Sequence, residues 1–271
     1  CIRDRGMVDI LAGVALAAGA GTRLRPLTLL RPKPLCPLGD ATLLDFALES
    51  LGAVAPEAAV NVHHGAEQIR AHVGSVPPPA GLRAVHVSHE RDRALGTAGA
   101  LVHMRRWLGD RDVVVLNADT WHAADLRAFV ESWDRSSVSV LTTSPGPFGP
   151  TSTVVASLLP APVLRGLPEG PGGLWEVLWR DEVASGRLVT RHTAAAFHDC
   201  GTPADYLRAN LAWALASDSP AARRIPGSVV GEGAVVEGDL DRCVVWPGEV
   251  VASGERLRDA IRAGGRTVLV R

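Results

Sequence analysis

Short apolar runs alternate with helical patterns through the first three-quarters of this chain, and that alternation constrains the fold more than any other feature. It is the pattern of an α/β protein with a parallel or mostly parallel sheet. Strands are expected at Val14 to Leu16, Ala59 to Val62, Ala84 to Val87, Val113 to Asn117, Val138 to Thr142 and Val154 to Leu158. Helices are expected in "TLLDFALESLGAV", "TAGALVHMRRWLG", "ADLRAFVESWD", "GLWEVLWRDEVASG" and "PADYLRANLAWALA". The first of these opens with Thr42 three residues before Asp45, a spacing that suits reciprocal capping. At "DSPAARRIPG" the rhythm stops, and the remainder of the chain is short, rich in Gly and Val, and poor in helix. The expected division is therefore 7–218 and 222–271. In the second part Val230 and Val236 lie six apart, as do Val245 and Val251, which fits one or two coils of a hexapeptide β-helix or, equally, an irregular β-hairpin.

A length of 271 residues suits one large domain and a small appendage. The formal net charge of −1 gives no bulk attraction to nucleic acid, so any phosphate has to be held locally. Cys1, Cys36, Cys200 and Cys243 show none of the close pairing of zinc or redox motifs, and reduced thiols in a cytoplasm are the simplest account. Residues 10–20 resemble a short signal core, but Asp4 and Asp9 spoil the basic flank and the run is too short to span a bilayer, so a buried strand is expected. Residues 1–6 read as an extension ahead of a start at Met7.

Chemistry concentrates just after the first strand. Gly19 and Gly21 allow a sharp turn that presents backbone N–H groups to an anion, and Thr22, Arg23 and Arg25 add a hydroxyl and two guanidinium groups. The third glycine of a dinucleotide-binding loop is replaced by Leu24, and no P-loop lysine follows. Lys33, the only lysine in the chain, stands between Pro32 and Pro34. An ammonium is a compact charge that reaches one phosphate oxygen, whereas arginine presents a fork, so a single lysine among many arginines points to a specific oxygen.

The stretch "LAAGAGTRLRPLTLLRPKPLCPLG" resembles the signature of the sugar-1-phosphate nucleotidyltransferases. The resemblance implies a three-layer, Rossmann-like α/β domain with a mostly parallel mixed sheet, followed by a short hexapeptide segment resembling a left-handed β-helix. It implies that a sugar 1-phosphate attacks the α-phosphate of a nucleoside triphosphate and releases pyrophosphate. Carried over by position, Ala18, Gly19, Gly21 and Thr22 would bind the triphosphate, and Arg23 and Lys33 would be catalytic. "DVVVLNADTW" ends a strand at Asp119, and "FHDCGTPADYLRAN" sets Asp199 before Gly-Thr-Pro. Each resembles a family metal position for magnesium or manganese, and each could instead cap a helix. "LGTAGAL" resembles the base-reading loop, with Gly96, Thr97 and Gly99 as contacts and a plain helix start at Thr97 as the alternative.

A second lysine, which longer relatives use at the sugar phosphate, is absent from this chain, as it is from compact muramate-specific members. Arg165 and Arg180 are the expected stand-ins. Zinc at His63 and His64 is disfavoured, because neighbours on one strand face opposite ways. Texture around "LGTAGAL" ranks GTP with mannose 1-phosphate first and UTP with an amino-sugar phosphate second. A cytoplasmic protein is expected, with no nucleic-acid or membrane partner and with a homo-oligomer allowed. A catalytically silent, nucleotide-sugar-binding homologue would be favoured only if Lys33, Asp119 or Asp199 were missing.

Overall fold

A computed structural model describes residues 11–270. The expected extension at 1–6, the start at Met7 and the thiol of Cys1 lie outside the described residues. The chain divides into two compact units: one takes the stretch up to Gly19, Ala47–Ala118 and His122–Phe197, and the other takes Ala20–Phe46, Asp119–Trp121 and everything from His198 on. The expected division near 218–222 falls inside the second unit. No helix among the described residues is long and apolar enough to cross a membrane.

Unit 1 is built on seven strands: β1 (Leu11–Leu16), β2 (Glu57–Val62), β3 (Ala84–His89), β4 (Asp112–Asn117), β5 (Ser139–Thr142), β6 (Val154–Leu159) and β7 (Val189–His192). Their order across the sheet is β7-β5-β6-β4-β1-β2-β3. The pairs β1·β2, β1·β4, β2·β3 and β5·β7 are parallel; β6 runs antiparallel to both β4 and β5. The sheet is thus mixed and mostly parallel. Central β1 is buried along nearly its whole length, as a strand covered on both faces requires. Its register sets Leu16 opposite Asn117, so Ala17 and Ala118 leave the sheet side by side, with the Ala118 N–H donated to the Leu16 carbonyl at 2.9 Å.

All six expected strands are present. β7 was not legible, because "VTRH" lies half-exposed at the sheet edge, where no core selects an apolar face. The expected helix over "TAGALVHMRRWLG" breaks at Met104 into Gly96–His103 and Arg105–Leu108.

Unit 2 begins with three single 3₁₀ turns, Thr22–Leu24, Leu27–Leu29 and Lys33–Leu35, and a small hairpin of Pro37–Leu38 with Ala41–Thr42. Helix Pro203–Ala216 packs Tyr206, Leu207 and Trp213 into a core shared with Leu38, Val244 and Ile261. The C-terminal segment decides between the alternatives the sequence left open. Val229–Val230 lies parallel on Val244–Val245, Val235–Val236 on Val250–Val251, and Asp239 to Val245 on Arg256 to Arg262. Parallel neighbours need a crossover, so these are stacked coils and not a hairpin. The six-apart positions Val230, Val236, Val245 and Val251 contribute to one apolar cluster with Leu240 and Leu257. The last strand, Arg266–Leu269, then folds back antiparallel on Arg256–Ala263.

Tyr206, the only tyrosine, ties three of these pieces together. Its side chain is fully buried; the hydroxyl donates to the Pro37 carbonyl of the hairpin and accepts from Trp246 Nε1 of the coils at 2.9 Å. Burial raises the phenol pKa well above 10. Tyr206→Phe keeps the shape but strands a buried carbonyl and an indole N–H, so denaturant unfolding is expected to show a loss of about 2–4 kcal/mol. Because only the unfolded chain releases this proton near pH 10, stability contributed by the phenol is present below that pH and is lost as pH rises further. Alkaline titration followed by tyrosinate absorbance should therefore show ionisation only together with unfolding.

Candidate active site

Lys33 is placed by a turn with little freedom. Pro32 holds φ at −55°, Leu35 N–H closes on the Pro32 carbonyl at 2.9 Å, and Cys36 N–H closes on the Lys33 carbonyl at 3.0 Å. The side chain is only 6 % exposed, and Nζ donates to Asp119 Oδ2 at 2.8 Å and to Asp199 Oδ1 at 3.2 Å. Burial by itself would lower the ammonium pKa, but the two carboxylates outweigh it and the net shift is upward. Lys33 therefore stays cationic throughout the neutral range. Arg23, largely exposed, brings Nη2 to 3.8 Å from Asp199 Oδ2.

Glycines make this packing feasible. Gly21 has φ +60°, and a Cβ there would stand 2.9 Å from Thr28 Cγ2 and 3.0 Å from Lys33 Cβ. Thr28, which sequence reading did not single out, donates Oγ1–H to the Gly21 carbonyl at 2.9 Å. Gly19 differs: it is exposed, and among the described residues no atom beyond its chain neighbours lies within 4 Å of where its Cβ would be. Internal packing does not require a glycine there. Ala18 is buried, and its carbonyl accepts from His64 Nδ1 at 3.0 Å. Thr22 opens the first 3₁₀ turn and is exposed.

Neither carboxylate serves as a helix cap. Asp119 leads into the short strand Thr120–His122, and the next helix is capped by Asp125, whose Oδ1 accepts from Ala128 N at 3.0 Å. Helix Pro203–Ala216 is capped by Thr202 in a reciprocal box with Asp205. Asp119 and Asp199 are instead half-exposed and converge on one cation. Among the described residues no group of three or more His, Cys, Asp or Glu could hold a metal ion. Two convergent carboxylates nevertheless suit magnesium, which takes one or two of them and completes its shell with phosphate oxygens and water. His63 and His64 spend Nδ1 on the carbonyls of Glu90 and Ala18. Cys36, Cys200 and Cys243 are free, buried thiols, with burial raising Cys36 to about 12.

In unit 1, the segment 96–99 is packed more tightly than its small residues suggested. The helix begins at Gly96, one residue before the expected start. A Cβ on Gly96 would stand 2.6 Å from the Gly172 carbonyl oxygen, and one on Gly99 would stand 2.8 Å from that of Gly170. Thr97 Oγ1 accepts from Leu174 N at 2.7 Å. Thr97 also lines a cavity of about 300 Å³ with Asn117, Ser157, Trp175, Glu176 and Trp179. Arg165 and Arg180 do not line it; they pair with Asp110 and Asp181 at exposed positions. The sequence carried no signal for the cavity, because its walls come from five separate stretches.

Residues 12–147, half of the chain, match the family described as Nucleotidyl transferase. The chain belongs to the nucleotidyl transferase family. Lys33 and Asp119 lie inside the matched nucleotidyl transferase segment, whereas Asp199 lies beyond it. An N-acetylmuramate alpha-1-phosphate uridylyltransferase of Caulobacter vibrioides is 39 % identical over 132 residues, 47 % of this chain and 54 % of that protein. The chain thus spans about half the length of that relative. A mannose-1-phosphate guanylyltransferase of Mycobacterium tuberculosis is 27 % identical over 89 % of this chain and 81 % of its own length. The fold also matches a UDP-glucose pyrophosphorylase of Acinetobacter baumanii, with a TM-score of 0.60 and 17 % identity over 78 % of this chain and 95 % of that one. In this nucleotidyl transferase, Gly99→Val would drive a branched side chain into the backbone of residue 170. It is expected to lower unfolding stability by about 1–3 kcal/mol in urea titrations and to impair all nucleotides alike, instead of selecting between purine and pyrimidine.

Proposed function

We propose that this chain transfers a nucleotidyl group from a nucleoside triphosphate to a sugar 1-phosphate, releasing pyrophosphate. The observation that carries this reading is the sole lysine, buried between Asp119 and Asp199. A sugar-phosphate oxygen forms a bond to the α-phosphorus as the bond from that phosphorus to the bridging oxygen breaks, and pyrophosphate departs with the electron pair. Negative charge grows on the phosphoryl oxygens during this exchange. Lys33 has a flexible stem that lets its ammonium turn from a carboxylate to an α-phosphate oxygen, where preorganised charge stabilises the transition state. Arg23 with Ala18, Gly19, Gly21 and Thr22 would hold the remaining phosphates, and Gly96, Thr97 and Gly99 would approach the base. Asp119 and Asp199 would hold magnesium or manganese, which when bound supplies charge neutralisation to the triphosphate.

The cavity beside Thr97 and Asn117 is the natural place for the sugar, since Glu176 and the serines offer hydroxyl partners and Trp175 and Trp179 offer flat apolar faces. Mannose 1-phosphate with GTP is the first assignment, supported by a guanylyltransferase match that runs through most of the chain. An amino-sugar phosphate with UTP is the second, supported by the higher identity to the muramate enzyme. The free thiols support a cytoplasmic setting, and the stacked coils support treating 222–271 as a segment with its own core.

Lys33→Ala is expected to reduce turnover about 100-fold or more, and Lys33→Arg is expected not to restore it, in assays of pyrophosphate release. Wild-type turnover in Lys33→Arg would overturn the role assigned to the ammonium. Chelation of divalent cations should abolish release, and Asp119→Asn or Asp199→Asn should weaken it sharply with the fold intact by circular dichroism. A panel of four triphosphates against several sugar 1-phosphates decides the substrate pair, and release with UTP but not GTP would reverse the order of the two assignments.

A further inference from the structure

Beneath the stretch after β1 and the loop before helix Gly96–His103 runs a line of buried polar groups, all within unit 1. Ala17 donates its backbone N–H to Asn61 Oδ1 at 2.8 Å. Asn61 Nδ2 donates to Glu90 Oε1 at 2.7 Å, and Leu95 donates its backbone N–H to Glu90 Oε2 at 2.7 Å. Asn61 is 3 % exposed and Glu90 1 %, so water cannot substitute for a missing partner. Flanking bonds hold the same pieces: His63 Nδ1 meets the Glu90 carbonyl at 2.7 Å, and His64 Nδ1 meets that of Ala18 at 3.0 Å.

The polarity of this line dictates its chemistry. Both ends are backbone N–H donors. An amide side chain accepts on one side and donates on the other, so it passes the polarity along without reversing it. Two inward-pointing donors can be reconciled only by one group that accepts on both sides, and an ionised carboxylate is such a group. No choice of amide orientations would satisfy the line without it. This explains a fully buried glutamate that the candidate catalytic chemistry does not use.

We propose that Asn61 and Glu90 are positioning residues that lock the stretch at 17–19 and the helix start at 95–99 into one fixed spacing. The inference rests on the reading that nucleotide is bound at these two segments, and it predicts that they loosen together. Glu90→Gln leaves one donor facing another: at Leu95, at Asn61 or, if Asn61 flips, at Ala17. Asn61→Asp sets two carboxylates against each other. The double substitution Asn61→Asp/Glu90→Gln exchanges the two groups and restores a consistent line, because the acceptor-only group then meets Ala17 and the amide oxygen meets Leu95.

The test uses the full chain and two readouts. Backbone amide exchange in each single variant is expected to speed up by about 10-fold or more at both 17–19 and 95–99, as one unsatisfied buried donor implies, and to return toward wild type in the double variant. The KM for the triphosphate should rise by about 10-fold in each single variant, with kcat changed less than about 3-fold, and should recover in the double variant. Faster exchange confined to the segment next to the substituted residue, or a double variant no better than the singles, overturns the inference. Absence of pyrophosphate release in the wild type would sink the proposed function, and the exchange pattern would still decide whether the line couples the segments.

Discussion

A buried ammonium is tolerable only beside negative charge, and the rest of unit 2 follows from meeting that condition at Lys33. Desolvation opposes the charged form, and the attraction of Asp119 and Asp199 overcomes it. The three residues are far apart in sequence, at 33, 119 and 199. The charge balance therefore exists only once the turn Lys33–Leu35, the residues following β4 and the approach to helix Pro203–Ala216 have come together. Carboxylates that lost their cation would repel each other, so the cluster favours any positive charge that can sit there. The same electrostatics suits both a lysine and a divalent ion carried in with a triphosphate.

Other parts of unit 2 keep that cluster in place through directional bonds. Tyr206 joins the hairpin that follows Lys33 to the coils, and the capping box of Thr202 and Asp205 fixes the start of the helix just after Asp199. With the capping done by Thr202 and Asp205, Asp199 is available to face Lys33. Gly201 contributes by absence: a Cβ there would stand 3.1 Å from Asp199 Oδ2 and 3.2 Å from Arg23 Nη2. The coil segment contributes Val229, Val244, Trp246 and Ile261 to the core beneath the helix, so it is part of what supports the site.

Glycine carries two different meanings in this chain, and only coordinates tell them apart. Gly96 and Gly99 are small because the backbone of 170–172 presses against them, whereas no described residue beyond its chain neighbours crowds Gly19. A glycine explained by internal packing needs no ligand to account for it. One left unexplained by packing, exposed and a few residues ahead of Arg23 in the chain, is what a loop that lets phosphate approach its backbone requires.

The strand and helix pattern was legible in the sequence because it depends on local periodicity, and the glycine-arginine loop and the two aspartates stand in short contiguous motifs. "AGAGTRLRP", the proline-bracketed Lys33 and the six-apart valines of the coils needed no knowledge of distant residues. Edge strand β7, the cavity walled by Trp175 and Trp179, the pairing of Arg165 with Asp110 and the line from Ala17 through Asn61 and Glu90 to Leu95 were not legible. Each of these depends on which residues meet across the sheet, and a side chain such as Glu90 looks in sequence like any acidic loop residue. The sequence alone determined which chemical groups are present and the local geometry that presents them. Tertiary structure decided which groups are buried together, because desolvation and hydrogen-bond polarity act only between groups that folding has brought into contact.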